Sequence, residues 1–253
     1  MSLPYSPRLP ADRPIDPQVL HRVLARLHEV GAAGKRPLVI FDLDSTLLDN
    51  RPRQARIIRE FGAQVGNPTL EACRPEHLEG WSLLASMRAC GLSMEESREY
   101  EHAIRKFWRR RFFTSEYCID DIALTGAVDF IAKVQGTGAH IVYCTGRDIS
   151  MESGTVSCMA REGFPVPAPS GPAGVHLLMK PHTSIDDDEW KRSVRDRLIA
   201  LGHPVAAFDN EPTHINIYRE HFPEALCIHL ATDESARGIA VHPSIPSIFD
   251  FKM

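Results

Sequence analysis

Three short groups of residues have the types and spacing to act on an anion. They are Asp42-Leu43-Asp44, Thr145-Gly146-Arg147 and Asp209-Asn210-Glu211. Each follows directly on an apolar run: PLVIF, HIVYC and PVAAF respectively. A short continuous apolar run of this kind reads as a strand buried on both faces. In an open parallel sheet, ligands bind outside the carboxyl ends of the strands. Groups far apart in sequence are therefore expected to meet at one site. A carboxylate such as Asp42 is a competent nucleophile toward phosphorus, giving an acyl phosphate. Asp44, two residues on, projects to the same side of an extended chain. Protonated, it donates to a leaving oxygen and then takes a proton from the water that opens the intermediate. Clustered aspartates repel, which raises at least one pKa unless a cation is present. Mg²⁺ is such a cation, because it favours oxygen ligands. Thr145 offers a hydroxyl to a phosphoryl oxygen, and a lysine would neutralise the charge that builds up in transfer.

The elements that must position these residues are legible in the hydrophobic pattern. Residues 17–33 place Val19, Leu20, Val23, Leu24 and Leu27 at helical spacing ahead of the first apolar run. Residues 50–120 are rich in Arg and Glu and read as helices throughout, over roughly 52–65, 75–90 and 94–112. The last opens with Ser93 and Glu96, a capping box. From about 122, helix and strand alternate. Helices are expected at 126–136, 150–162, 187–201 and 212–221, and strands at 140–147, 175–180, 204–210 and 225–232. Alternation of this kind implies parallel βαβ units. Residues 1–16 and the segment FPVPAPSGPAG, with Pro165, Pro167, Pro169 and Pro172, read as irregular because proline recurs in them.

Composition sets the outer limits. The chain has 253 residues, 43% of them hydrophobic and 25% charged, with a formal charge of −4, which suits a globular enzyme better than a broadly basic nucleic-acid binder. No apolar run approaches the ~20 residues of a membrane helix, and the proline-rich start lacks the apolar stretch of a signal peptide. Six cysteines, at 73, 90, 118, 144, 158 and 227, form no CxxC pair. They are read as reduced thiols of a cytoplasmic protein, with neither a zinc site nor a disulfide framework. The twelve histidines follow no metal-binding spacing and most are read as surface or core residues; His214, just after Asp209-Asn210-Glu211, is read the same way, with approach to a metal as its alternative. The basic run KFWRRRFF at 106–113 reads as an amphipathic helix with its arginines in solvent or facing an anionic substrate. The acids at 186–189 read as a solvated helix start.

FDLDSTLLD resembles the first motif of the haloacid dehalogenase-like (HAD) superfamily, YCTGR its second and FDNEP its fourth, in the right order over residues 37–212. The resemblance implies an α/β fold: a Rossmann-like core with a parallel sheet flanked by helices, formed by residues 1–49 and 121–253. Residues 50–120 would form a smaller, all-helical cap inserted between the first and second motifs. It implies a phosphatase-type hydrolase with Asp42 as nucleophile and Asp44 as general acid/base. Mg²⁺ would be held by Asp42, the backbone carbonyl of Asp44, Asp209 and either Asn210 or Glu211, since Asn210 stands where many such phosphatases carry an acid. Thr145 would bind the transferring phosphoryl group, with Thr46, Gly146 and Arg147 alongside. The third-motif lysine is Lys191 or Lys180. The pattern DDDEWK resembles the lysine-bearing helix of acid and polynucleotide 3′-phosphatases, which favours Lys191 and leaves Lys180 at the site entrance. The implied substrate is a small phosphorylated metabolite, with a nucleotide or nucleic-acid 3′-phosphate as the alternative. A phosphomutase, a dehalogenase acting on carbon and a non-catalytic binding protein are the rival readings. Oligomeric state is not legible.

Overall fold

A computed structural model describes residues 15–16, 18–167 and 173–253. Most of the expected irregular lead-in, and Pro169 and Pro172 of the proline-rich loop, lie outside the described residues. The chain folds around a six-stranded sheet in which every pairing is parallel. Its strands are β1 (Pro37–Phe41), β4 (His140–Asp148), β5 (Val175–Lys180), β6 (His203–Asp209), β7 (Leu226–Leu230) and β8 (Ser247–Ile248), in the spatial order β5-β4-β1-β6-β7-β8. β2 (Leu48–Asp49) and β3 (Ile122–Ala123) form a separate antiparallel pair.

β1 is central because both of its faces are apolar. Val39 and Phe41 point into one layer with α1 (Val19–Ala32), α6 (Ala127–Gly136) and α7 (Glu152–Glu162). Leu38 and Ile40 point into the other, against α8 (Asp187–Ser193), α9 (Arg195–Leu201) and α10 (Pro212–His221). Residues 38–41 are fully buried, as a strand covered on both sides requires. The expected helix over 187–201 is two helices, broken at Val194. β8 and the short β2–β3 pair carried no sequence pattern, since strands of two residues show no periodicity.

Residues 51–120 are helical, with a hydrophobic cluster of their own that includes Ile57, Phe61, Leu70, Met87, Ile104 and Phe107. The elements are α2 (Arg51–Val65), α3 (Pro68–Glu71), α4 (Leu83–Cys90) and α5 (Met94–Phe112), with 3₁₀ turns at Pro75–His77 and Ser115–Asp120. The capping box of Ser93 and Glu96 opens α5 as expected. The single helix expected over 75–90 is instead a 3₁₀ turn and a helix, separated at Gly80, whose φ is +56°. Among the described residues, no helix is long and apolar enough to cross a membrane.

The 3₁₀ turn Ser115–Asp120 lies against α7 at a point without room for a side chain. A Cβ on Gly154 would stand 2.1 Å from the Ser115 carbonyl oxygen. Gly154→Ala must therefore separate two backbones. It is expected to cost about 1–3 kcal/mol, a fall of roughly 2–10 °C in melting temperature at this chain length. An unchanged melting curve would show that the two segments do not pack as described.

Candidate active site

β1 leaves the sheet through a tight turn. The Leu43 carbonyl accepts from the amides of Thr46, Leu47 and Leu48, and Ser45 sits at φ +57°, in the left-handed region. The Asp42 amide still bonds the Phe208 carbonyl of β6 at 2.9 Å, so Asp42 is the last residue held by the sheet. Asp209 ends the neighbouring strand β6. Both carboxylates therefore stand at adjacent strand ends, with Asp209 fully buried and Asp42 6% exposed.

Lys191 joins them. Its ammonium donates to Asp42 Oδ1 at 2.8 Å, Asp209 Oδ2 at 3.0 Å and the Cys144 carbonyl at 2.6 Å, which uses all three of its protons. Lys191 is fully buried. Burial opposes its charge, but Asp209 and Asp42 hold its pKa well above the usual lysine value. Burial pushes Asp42 up to about 7; Lys191 offsets part of the shift, and Asp209 and Asp44 add to it. Asp209 meets the same desolvation, yet Lys191 and His214 hold it at about 2. Of the two lysines weighed from sequence, Lys191 lies between the aspartates. Lys180 bonds Asp187 at 2.5 Å and the Ile185 carbonyl at 2.9 Å, at the side of the cleft.

Asp44 and Arg147 differ from the sequence expectation. Arg147 faces protein carboxylates instead of an open phosphate position. Its Nε and Nη2 donate to Asp44 at 2.9 and 2.8 Å, and Nη2 also donates to Asp121 at 2.6 Å. Arg53, from α2, donates to Asp44 at 2.8 Å and faces Asp121 at 2.9 Å as an ion pair. Two aspartates and two arginines thus form a neutral network in which Arg53, Asp121 and Arg147 are buried. Burial opposes ionisation of Asp44, but Arg147 and Arg53 hold its carboxyl at about 2. Asp44 is therefore an ionised acceptor in this conformation, not the protonated donor expected from sequence.

The remaining expected residues line the same region. Thr145 Oγ1 accepts the Arg147 amide at 3.1 Å, and no acceptor among the described residues takes its hydroxyl proton. Thr46 donates to Asn210 Oδ1 at 3.0 Å and accepts the Asn210 amide at 3.1 Å. Both are thus engaged with each other. Asn210 also donates to the Asp233 carbonyl at 2.5 Å. Glu211 is turned toward Ser235 and Arg237. Gly146 faces the cleft with Asp187 close by: a Cβ there would meet its carboxylate at 3.0 Å.

Sequence reasoning missed Arg53, Asp121 and Asp188, and had His214 near a metal only as an alternative to a core or surface place. His214 Nδ1 lies 3.5 Å from Asp209, and its Nε2 lies 3.0 Å from Asp188. Burial opposes its charge, yet Asp209 and Asp188 raise its pKa to about 9. The acids at 186–189 do more than open a helix in solvent. Asp186 caps α8, Asp187 holds Lys180, and Asp188 binds Thr213 and Arg237. The one available signal for His214 was its helical position two residues past Pro212, which turns it back toward Asp209.

No protein-family model and no curated protein matches the sequence. Among solved structures, Protein Tyrosine Kinase A of Mycobacterium tuberculosis superposes with a TM-score of 0.52 at 17% identity, covering 84% of this chain and 93% of that one. A candidate phosphatase from Clostridium difficile gives 0.50 at 13% identity, over 80% and 88% of the two chains. A haloacid dehalogenase-like family hydrolase from Streptococcus pneumoniae gives 0.49 at 14%, over 84% and 93%. The chain shares with the first two an α/β fold, Rossmann-like in its core, with a parallel sheet flanked by helices. Of the first two, one is named for a kinase and one for a phosphatase, so the shared fold by itself does not choose a reaction.

The arginine clasp on Asp44 has a measurable consequence. Its folded pKa of about 2 lies below the unfolded value of ~3.9. Its contribution to stability is therefore complete above the unfolded pKa and is lost as pH falls through the folded one. Asp44→Asn is expected to cost about 2–3 kcal/mol at pH 7. In urea unfolding with EDTA, that gap should narrow from roughly pH 5 toward pH 3. A gap that stays constant over this range would remove the charge pairing as its cause.

Proposed function

We propose that the protein is a phosphomonoester hydrolase acting through an acyl phosphate on Asp42. The observation that carries the reading is the pair of buried carboxylates, Asp42 and Asp209, held by one ammonium at adjacent strand ends. In this reading Asp42 attacks phosphorus, the P–O bond to the leaving group breaks, and the alcohol departs. Lys191 orients the attacking carboxylate and disperses charge on the transferring group. Thr145 donates its hydroxyl to a phosphoryl oxygen. Asp44, ionised, then takes a proton from the water that opens the acyl phosphate. To protonate the leaving oxygen in the first half, Asp44 must loosen from Arg53 and Arg147 and take up a proton from solvent. Because Arg53 belongs to the helical segment, movement of that segment is the natural way to loosen it.

The residues fit a hard divalent cation. The donors are carboxylate and carbonyl oxygens, and the site already draws positive charge toward it, since His214 is held in its charged form 3.5 Å from Asp209. Asp42, the backbone carbonyl of Asp44 and Asp209 would hold Mg²⁺. Asn210 Oδ1, which accepts from Thr46, has a second lone pair to offer. Bound there, the ion would shield the carboxylates from an anionic phosphate and polarise its oxygens.

Residues 50–120 serve as a cap in this reading. The cleft of about 960 Å³ above Asp42 takes Trp81, Trp108, Arg109, Phe112 and Phe113 from them. Trp108 stacks on Phe112 with ring centroids 4.3 Å apart. This wall suits a small phosphorylated substrate whose leaving group is apolar or planar, a nucleotide included.

Phosphate release from a panel of phosphomonoesters, with Mg²⁺ and with EDTA, is the direct test. Metal-dependent release is expected, and its absence across the panel would reject the hydrolase reading. Asp42→Asn should abolish release while circular dichroism stays native. Lys191→Met should lose about 10²-fold or more in kcat, whereas Lys180→Met should keep most activity. Equal losses would mean that the contact with Asp42 and Asp209 is not what matters.

A further inference from the structure

Cys73, His77 and Cys90 show no recognisable metal spacing, but the fold brings them together. One ligand atom from each lies within 4.8 Å of the others. They come from three different segments. Cys73 follows α3, His77 closes the 3₁₀ turn Pro75–His77, and Cys90 ends α4. None of the three lines the cleft above Asp42. Cys73 is 1% exposed and belongs to the hydrophobic cluster of the helical segment, with Cys90 packed against that cluster.

We propose that Cys73, His77 and Cys90 form a second, structural cation site, of the zinc class, that ties α3, the 3₁₀ turn and α4 together. Two sulfurs and an imidazole are soft to borderline ligands, which suit a thiophilic d¹⁰ cation and not Mg²⁺. Three protein ligands leave the fourth tetrahedral position to water. Cys90 sits at the carboxyl end of α4, where the unpaired carbonyls favour positive charge. The neighbouring Cys90 sulfur, together with burial, pushes the Cys73 thiol up, and Cys73 lowers that of Cys90. A cation that takes both sulfurs as thiolates releases their protons to solvent, so binding weakens as pH falls. Other charges nearby are few. Arg59 donates to the Cys73 carbonyl at 3.0 Å, and Glu76 lies on the acidic side. His77 Nδ1 accepts the Arg74 amide at 3.2 Å. A neutral imidazole has one lone pair, so this long hydrogen bond yields when the ring takes a cation.

The test uses the full chain, free of any tag, reduced and stripped of metal, and titrated with Co²⁺. One equivalent should produce a sulfur-to-cobalt charge-transfer band that Zn²⁺ abolishes by displacement. An aspartate site cannot give that band, so Asp209→Asn should retain it. Cys90→Ser should lose it. Zn²⁺ at about 100 times its dissociation constant should raise the melting temperature by roughly 5–10 °C in the wild type and leave Cys90→Ser unmoved. Cys90 is only partly buried, so that variant is expected to fold even where Cys73→Ser does not. Absence of the band, its survival in Cys90→Ser, or a Cys73–Cys90 disulfide whose reduced form binds no cobalt would each overturn the proposal.

Discussion

The buried ammonium of Lys191 is the constraint around which the sheet's working end is built. A charge with no access to water must be neutralised and its protons all accepted. The acceptors are Asp42 from β1, Asp209 from β6 and the Cys144 carbonyl from β4. One side chain from α8 thereby fixes three strand ends against one another. The same packing explains the unequal carboxylates. Asp42 and Asp209 share one partner, but Asp209 has His214 as well, so Asp209 stays ionised while Asp42 is pushed up. In the proposed reaction a bound cation would favour the ionised form of Asp42 and so ready it for attack.

A second charged network joins the sheet to the helical segment. Asp44 leaves β1, Arg147 belongs to β4, Arg53 comes from α2, and Asp121 precedes β3. Two positive and two negative charges balance, so no buried ion is left alone. Breaking any one of them strands its partners, which makes the joint sensitive to substitution. It also ties the position of the helical segment to the state of Asp44. In the proposed reaction, chemistry at Asp44 and the approach of the aromatic wall are then two parts of one movement.

The helical segment meets a different problem. Its cluster is modest in size, and its short elements α3, the 3₁₀ turn and α4 are linked by turns at Gly66, Gly80 and Gly91, all with positive φ. Short helices gain little from their own hydrogen bonds. A cross-link at Cys73, His77 and Cys90 would add stability to these short elements.

By itself, the sequence determined the order of the longer strands and helices and the strands that carry or lead into Asp42, Thr145 and Asp209. These are local properties: continuous apolar runs, a capping box, and acids placed directly after strands. The preference for Lys191 over Lys180 comes from the resemblance of DDDEWK to the lysine-bearing helix of acid and polynucleotide 3′-phosphatases, and the contact of Lys191 with Asp42 and Asp209 appears only in three dimensions. The tertiary structure alone decided the partners of charge. Arg53, Asp121 and His214 lie far from the motifs in sequence or on unmarked helix turns, and nothing local distinguishes a buried arginine from one in solvent. Arg147 was assigned to phosphate because it follows Thr145 and Gly146, but packing gave it to Asp44 and Asp121. Cysteines 73 and 90 looked isolated for the same reason. Spacing records only ligands that a single turn brings together, whereas these two, with His77, are gathered by the packing of three separate segments.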